Sequence, residues 1–188
     1  MKSEIVDKII IKVTSFLNIL NIIGRSNKNY VNKDNIFYLP LNYVEFLHKD
    51  IIQIYKKSED PIAKGYMSKS NLEFILEYVK DIYNNSKSKE TKLINKAAFI
   101  FYHIAVKHPF TDGNKRTSII ACSAFLEHNG YSIRHISFRD SRKFITEVAK
   151  GNKSEQECQK FIKKYISKYI IPKEIEKAVA EYIKLKNN

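Results

Sequence analysis

His108, Asp112, Gly113, Asn114, Lys115 and Arg116 fall within the stretch His108-Pro109-Phe110-Thr111-Asp112-Gly113-Asn114-Lys115-Arg116-Thr117. Together they supply what a phosphate-transfer site needs. His108 is the one side chain of the set that can take up a proton near neutral pH, which suits a general base for a hydroxyl nucleophile. Asp112 is a hard oxygen ligand, suited to a magnesium ion shared with phosphate oxygens. Gly113 lets the backbone come close to a ligand and take a positive φ. Asn114 can cap a helix or offer its amide to a phosphate. Lys115 contributes a point charge and Arg116 a bidentate fork. Transfer of a phosphoryl or nucleotidyl group asks mainly for positioning and charge neutralisation, which this set can provide. Any one of these residues alone would fit an ordinary connection between two helices. The ordered combination is what argues for chemistry.

The elements around the stretch explain why it could bind an anion. Lys96 to Val106 reads as an apolar helix, and Thr117 to His128 as a second one, stopped by Asn129-Gly130. The loop therefore runs into a helix N-terminus, where unpaired N–H groups and the macrodipole favour negative charge.

At these residues the chain resembles the Fic/Doc (Fido) family, whose signature is His-x-Phe-x-Asp/Glu-Gly/Ala-Asn-Gly/Lys-Arg. His108, Phe110, Asp112, Gly113, Asn114, Lys115 and Arg116 meet each position of it. Leu93 to Phe99 resembles the helix leading into the motif, and Ala124 to Tyr131 the end of the motif helix. The resemblance implies one Fic/Doc-type domain across residues 1–188, with a core at roughly 38–168. Its fold would be an all-α bundle with a small β-hairpin flap. Ile62 to Met67, containing Gly65, matches the flap in position, where an extended target polypeptide would be aligned by backbone pairing.

The resemblance also bears on the reaction. Most adenylyl-transferring members carry Gly at the position of Lys115 and a second Arg at that of Ile119, so both positions here look Doc-like. Pro109 and Gly113 look more like the adenylylating branch. Likeness to Doc (death-on-curing) implies a toxin of a toxin–antitoxin system that moves the γ-phosphoryl group of ATP to a hydroxyl of a translation factor, elongation factor Tu being the expected target. His108 would be the base, Asp112 would hold Mg2+, and Gly113, Asn114, Lys115 and Arg116 would bind ATP. The alternatives are adenylylation of a protein, and a basic protein that binds RNA or a partner without catalysis. Some members carry an inhibitory helix marked Ser/Thr-x-x-x-Glu-Gly/Asn. These residues contain no match, which points to a separate antitoxin.

Composition bounds the reading. The 188 residues suffice for one domain with a sizeable core, and an apolar fraction of 44% is ordinary for a globular chain. The formal charge is +13, but 28 of the 33 basic residues are Lys and they are spread along the chain. Base readout favours Arg, so a nucleic acid is not expected as the primary ligand. Cys122 and Cys158 have no metal-like spacing, and a reducing cytoplasm fits them. His48, His103, His128 and His135 receive no catalytic role.

The rest is coarsely legible. Val6, Ile9, Ile10, Val13, Phe16, Leu17, Leu20 and Ile23 recur at helical spacing, predicting an amphipathic helix over about 4–23 instead of a membrane span or a signal peptide. Helices are expected over Tyr43–Lys56, from a capping box at Ser70 to about Asn84, from about Asp140 to Lys150, and from a second capping box at Ser154 to about Lys168. Pro172 should open a terminal helix over about 172–186.

Overall fold

The structure, a computed structural model, describes residues 35–55, 63–133, 144, 146–148 and 153–186. The expected N-terminal helix at 4–23 and most of that at 140–150 lie outside the described residues. Six helices and one small sheet are described: α1 Leu41–Tyr55, α2 Lys69–Asp81, α3 Lys89–Lys107, α4 Asn114–His128, β1 Tyr131–Ile133, α5 Glu155–Tyr169, β2 Ile170–Pro172 and α6 Lys173–Lys186.

The helix α3 is the axle of the fold. Ser88 caps it, its side chain accepting from the Thr91 N–H, and Leu93 through Ala105 is buried with few interruptions. A helix apolar on nearly all sides must be surrounded. Its largest interfaces are with α4 and α5, then α2. The pairing with α4 relies on small side chains: Ala97, Ala98 and Ala105 on α3, and Ser118, Ala121, Cys122 and Ala124 on α4, are all buried. Such residues let two backbones approach closely without leaving voids. Cys122 thus packs as the small core residue its neighbours suggested.

The helix α1 starts at Pro40, whose carbonyl accepts from the Tyr43 and Val44 N–H groups at 3.1 and 3.3 Å. It buries Tyr43, Val44, Leu47, His48, Ile51 and Ile52, a single stripe at helical spacing. In α2 the cap is Ser68, not Ser70 as the capping-box pattern suggested: the Ser68 side chain accepts from the Asn71 N–H. The helix therefore starts earlier than expected, because Ser68 is itself held by the loop at Pro109. The helix α5 opens on the expected capping box, Ser154 and Glu157 satisfying one another's backbone N–H groups.

The C-terminal end of α2 is stabilised by a buried cation. Lys96 of α3 is fully buried, and its ammonium donates to the carbonyls of Val79, Lys80 and Ile82 at 2.7, 3.1 and 2.6 Å. The last carbonyls of a helix have no partners inside it and carry the negative end of its dipole, so three of them can compensate one buried ammonium. Sequence patterning shows Lys96 only as a polar interruption in an apolar helix.

The sheet is not where it was expected. Among the described residues the segment expected as a flap forms no hairpin, and Tyr66 makes an isolated bridge to Phe110. The two strands lie at the far end of α4, antiparallel, with Tyr131 opposite Pro172 and Ile133 opposite Ile170. Pro172, expected to open the last helix, instead ends β2, where its lack of an N–H costs no ladder bond at the sheet edge. Gly130, at φ +91, makes the tight turn from α4 into β1.

Replacing Lys96 by Met should keep the bulk and take the ammonium away from three carbonyls, of which that of Lys80 keeps the Asn84 amide at 3.2 Å. We expect a loss of about 3 kcal/mol in denaturant unfolding. A variant within about 0.5 kcal/mol of the parent would show that water compensates these groups as well as the ammonium does.

Candidate active site

The loop between α3 and α4 is short, and its backbone is held at almost every residue. The helix α3 ends because His108 precedes Pro109, a position where the α conformation is disfavoured. His108 leaves the helix at φ 45 and ψ 60, a left-handed conformation that costs a residue with a Cβ about 1 kcal/mol. Its ring is exposed. Strain of this kind is retained only where the surroundings impose it.

The surroundings do so on both sides. The Pro109 carbonyl accepts from Met67 and Ser68 N–H at 2.9 and 3.0 Å, and the Thr111 N–H donates to the Gly65 carbonyl at 3.1 Å. The segment 65–68 is thereby laced along the motif, in the position expected of a flap. Gly65 is at φ +116, and a Cβ there would stand 3.2 Å from Thr111 Oγ1. Tyr66, whose hydroxyl donates to Glu45 on α1, stacks on Phe110 at 5.2 Å. Burial, and then the Glu45 bond, push the Tyr66 phenol well above its usual range.

Phe110 is 2% exposed, and its other face carries the His48 ring at 3.7 Å and 11°. Its backbone is clamped by Asn114: the Phe110 N–H donates to Oδ1 at 2.9 Å, and Nδ2 donates to the Phe110 carbonyl at 2.8 Å. This corrects the sequence reading of Asn114. Its carboxamide neither caps α4 nor faces outward to a phosphate; it is 5% exposed and turned into the loop, because a buried peptide group left unpaired would cost more than a lost cap.

The N-cap of α4 is instead Gly113, at φ 74, with no side-chain cap bond. The first turn of α4 thus opens with no side chain on its N–H groups, the condition for anion binding. The Asp112 carboxylate accepts from the Gly113 N–H, and Lys115 on the first turn is exposed. The Arg116 guanidinium lies over the Tyr55 ring at 4.3 Å, which holds the fork at the end of α1. Ile119, one turn beyond Lys115, is partly buried against the core. Asp112, Gly113, Lys115 and Arg116 thus stand at or beside the first turn of α4, His108 opens the loop that leads to it, and the Asn114 amide pairs with Phe110 within that loop.

Asp112 fits a magnesium ion only in company. Among the described residues no three His, Cys, Asp or Glu groups cluster as a metal site. An ion held by one carboxylate, phosphate oxygens and water suits magnesium, which keeps part of its hydration shell.

Sequence reasoning missed His48, Tyr66, Glu45 and Thr117. His48 lies 69 residues from Thr117, yet its Nδ1 is 3.0 Å from the Thr117 hydroxyl. No periodicity could have linked them. Of the other histidines, His128 stacks on Phe37 at 4.4 Å, and His103 is buried 3.3 Å from Glu155, both structural placements.

Residues 38–126 match the family described as the Fic/DOC family, a span that contains all the loop, flap and helix-end groups above. Protein adenylyltransferase fic-1 of Caenorhabditis elegans is 24% identical over 159 residues, covering 68% of this chain and 31% of that protein. The protein of the same name from Caenorhabditis briggsae shows the same identity and coverage. The chain thus spans about a third of the length of these curated relatives.

Burial lowers the pKa of His48 to about 4, against a smaller opposing pull from Asp112, and burial lowers that of His128 to about 4 as well. The unfolded chain would bind these protons near pH 6.5. Folding stability should therefore be complete above pH 6.5 and fall as the pH drops from 6.5 towards 4, His48 alone contributing at most about 3 kcal/mol. Urea titrations at several pH values should show that slope, reduced in His48→Phe; an identical slope in the variant would mean that the His48 ring is hydrated.

Proposed function

Residues 38–126 belong to the Fic/DOC family, and from that premise we propose that the protein transfers a phosphoryl group from ATP to a hydroxyl side chain of another protein. The observation that carries the reading is the placement of an exposed imidazole, His108, at the start of the short loop that leads into a helix N-terminus with no side-chain cap bond. The phosphate chain lies at the first turn of α4. Its charge is met there by backbone N–H groups, the Lys115 ammonium and the Arg116 fork. His108 takes the proton from the incoming hydroxyl, the hydroxyl oxygen forms a bond to phosphorus, and the bond from that phosphorus to the departing ADP oxygen breaks. Asp112 would hold a magnesium ion, which supplies further neutralisation of phosphate charge. The target approaches along residues 65–68, which already pair with the motif backbone.

Lys115 and Ile119 favour the γ-phosphorus as the site of attack. A long ammonium occupies the first turn where a glycine would leave room for inner phosphates, and no second guanidinium follows one turn later. On this reading the protein is a Doc-like toxin, with a translation factor as target and a separate antitoxin as its restraint. The second reading is transfer of the adenylyl group, and the names of the curated relatives favour it. None of the described helices is long and apolar enough to cross a membrane.

ATP labelled on the α- or the γ-phosphate, incubated with the full chain, Mg2+ and a bacterial lysate, separates the two. Protein labelling from the γ-position alone supports phosphorylation, and labelling from the α-position replaces it with adenylylation. His108→Ala should lose at least about a hundredfold in transfer with an unchanged melting profile, since an exposed left-handed residue has little packing to lose; full activity would remove His108 from the role of base. Lys115→Gly should raise labelling from the α-phosphate relative to γ. An unaltered ratio would refute the argument from Lys115.

A further inference from the structure

The remaining buried groups around the motif converge on α1. His48 is 4% exposed and sits at the middle of that helix, between the Phe110 ring and the Thr117 hydroxyl. Thr117 Oγ1 lies 3.0 Å from the Gly113 carbonyl and 3.0 Å from His48 Nδ1. A hydroxyl has one proton, and a carbonyl can only accept. Both contacts are hydrogen bonds in one arrangement alone: Thr117 donates to Gly113, and His48 Nδ1–H donates to Thr117. The imidazole is therefore the Nδ1–H tautomer. Its Nε2 is buried with no partner among the described residues, as fits a neutral ring facing apolar surroundings.

The relay ends on a critical atom. The Gly113 carbonyl accepts from the Thr117 N–H at 2.9 Å as well as from its hydroxyl, so both its lone pairs are engaged. Gly113 is the left-handed residue that sets the direction of the first turn of α4, and its own N–H points to the Asp112 carboxylate. A shift at this carbonyl moves the helix end and the carboxylate together. The His48 ring meanwhile closes the face of Phe110 opposite Tyr66, which fixes the loop from the other side.

We propose that His48 is a positioning residue for the phosphate site, its Nδ1–H acting through the Thr117 hydroxyl to fix the Gly113 carbonyl while its ring seats Phe110. The consequence for nucleotide binding rests on the phosphate reading above; the tautomer and its hold on Gly113 do not. A ring of the same shape without the donor would still stack on Phe110 but release the relay. An amide placed by Asn at the same position would restore the donor.

Three full-length variants test this: His48→Phe, Thr117→Val and His48→Asn. Nitrogen-15 NMR of histidine-labelled protein without nucleotide should show His48 protonated at Nδ1 and bare at Nε2. In His48→Phe and Thr117→Val the Gly113 amide resonance should shift or broaden, and Mg·ATP affinity by calorimetry should fall about tenfold, the loss expected for one buried hydrogen bond. His48→Asn should recover most of that affinity, which a general loss of packing would not allow. The double variant His48→Phe/Thr117→Val should be no worse than either single change, because one relay is being cut twice. A proton found on Nε2, or a Gly113 amide unmoved in both single variants, overturns the proposal. Thr117→Val keeps the test open if His48→Phe fails to fold. Should the parent protein bind no Mg·ATP while the Gly113 amide responds as expected, the phosphate reading falls and the role of His48 in holding the loop stands.

Discussion

A carboxamide presents a donor and an acceptor side by side, which is what a peptide unit in an extended strand asks of its neighbour. Asn114 uses this to pair with both backbone groups of Phe110, and the rest of the site depends on that pairing. It closes the loop across only three intervening residues and pulls the left-handed Gly113 over the start of α4. Beside it Lys115 is exposed, and the Asp112 carboxylate accepts from the Gly113 N–H. The same device recurs at the other end of α4, where Asn129 pairs with the N–H and carbonyl of Phe37 at 2.9 Å each. One helix is thus tied at both ends by an asparagine to a phenylalanine backbone, and its first turn is held in place without a capping side chain. A capping side chain there would compete with any anion for the same N–H groups.

The buried polar groups follow a common logic. Lys96 sits where three carbonyls at the end of α2 converge, and the Thr117 hydroxyl sits between an imidazole and a carbonyl. Each adds a side-chain donor to backbone carbonyls at a helix end, Lys96 to those closing α2 and Thr117 to that of Gly113. This distinguishes the interior charge from the exterior one. The net charge of +13 comes mainly from lysines spread along the sequence; the ammonium of Lys96 is a structural element. Near the site, the positive groups that matter are few and close to the helix end.

Rigidity around an exposed imidazole has a chemical use. The proposed reaction gains mainly from alignment, so a base on a laced loop and an anion site on a fixed helix end need little rearrangement between substrates. The His108 backbone strain is sustained by bonds at Pro109, Phe110 and Thr111, and the flap that supplies two of these anchors is the segment proposed to carry the target. Substrate alignment and base alignment then share one set of hydrogen bonds.

From the sequence alone, the helical character, the motif loop and its family likeness could be read, because they rest on local signals: apolar spacing, Ser caps, the Asn-Gly stop, and residue types in fixed order from His108 to Arg116. The capping box at Ser154 and the helix stop at Asn129 are of this kind. Where a local pattern competed with a distant partner, the local reading gave way. Ser68 replaced Ser70 as cap through its tie to Pro109, and Pro172 closed a strand because Tyr131 lay opposite it. Asn114 had the right type for a cap or a phosphate ligand, and only the burial of Phe110 decided that its amide turns inward. His48, Lys96, Glu45 and Tyr66 acquired their partners entirely from packing. Hydrogen bonds between residues tens of positions apart leave no periodic trace in the chain, since each depends on the geometry of two elements meeting and not on the spacing within either.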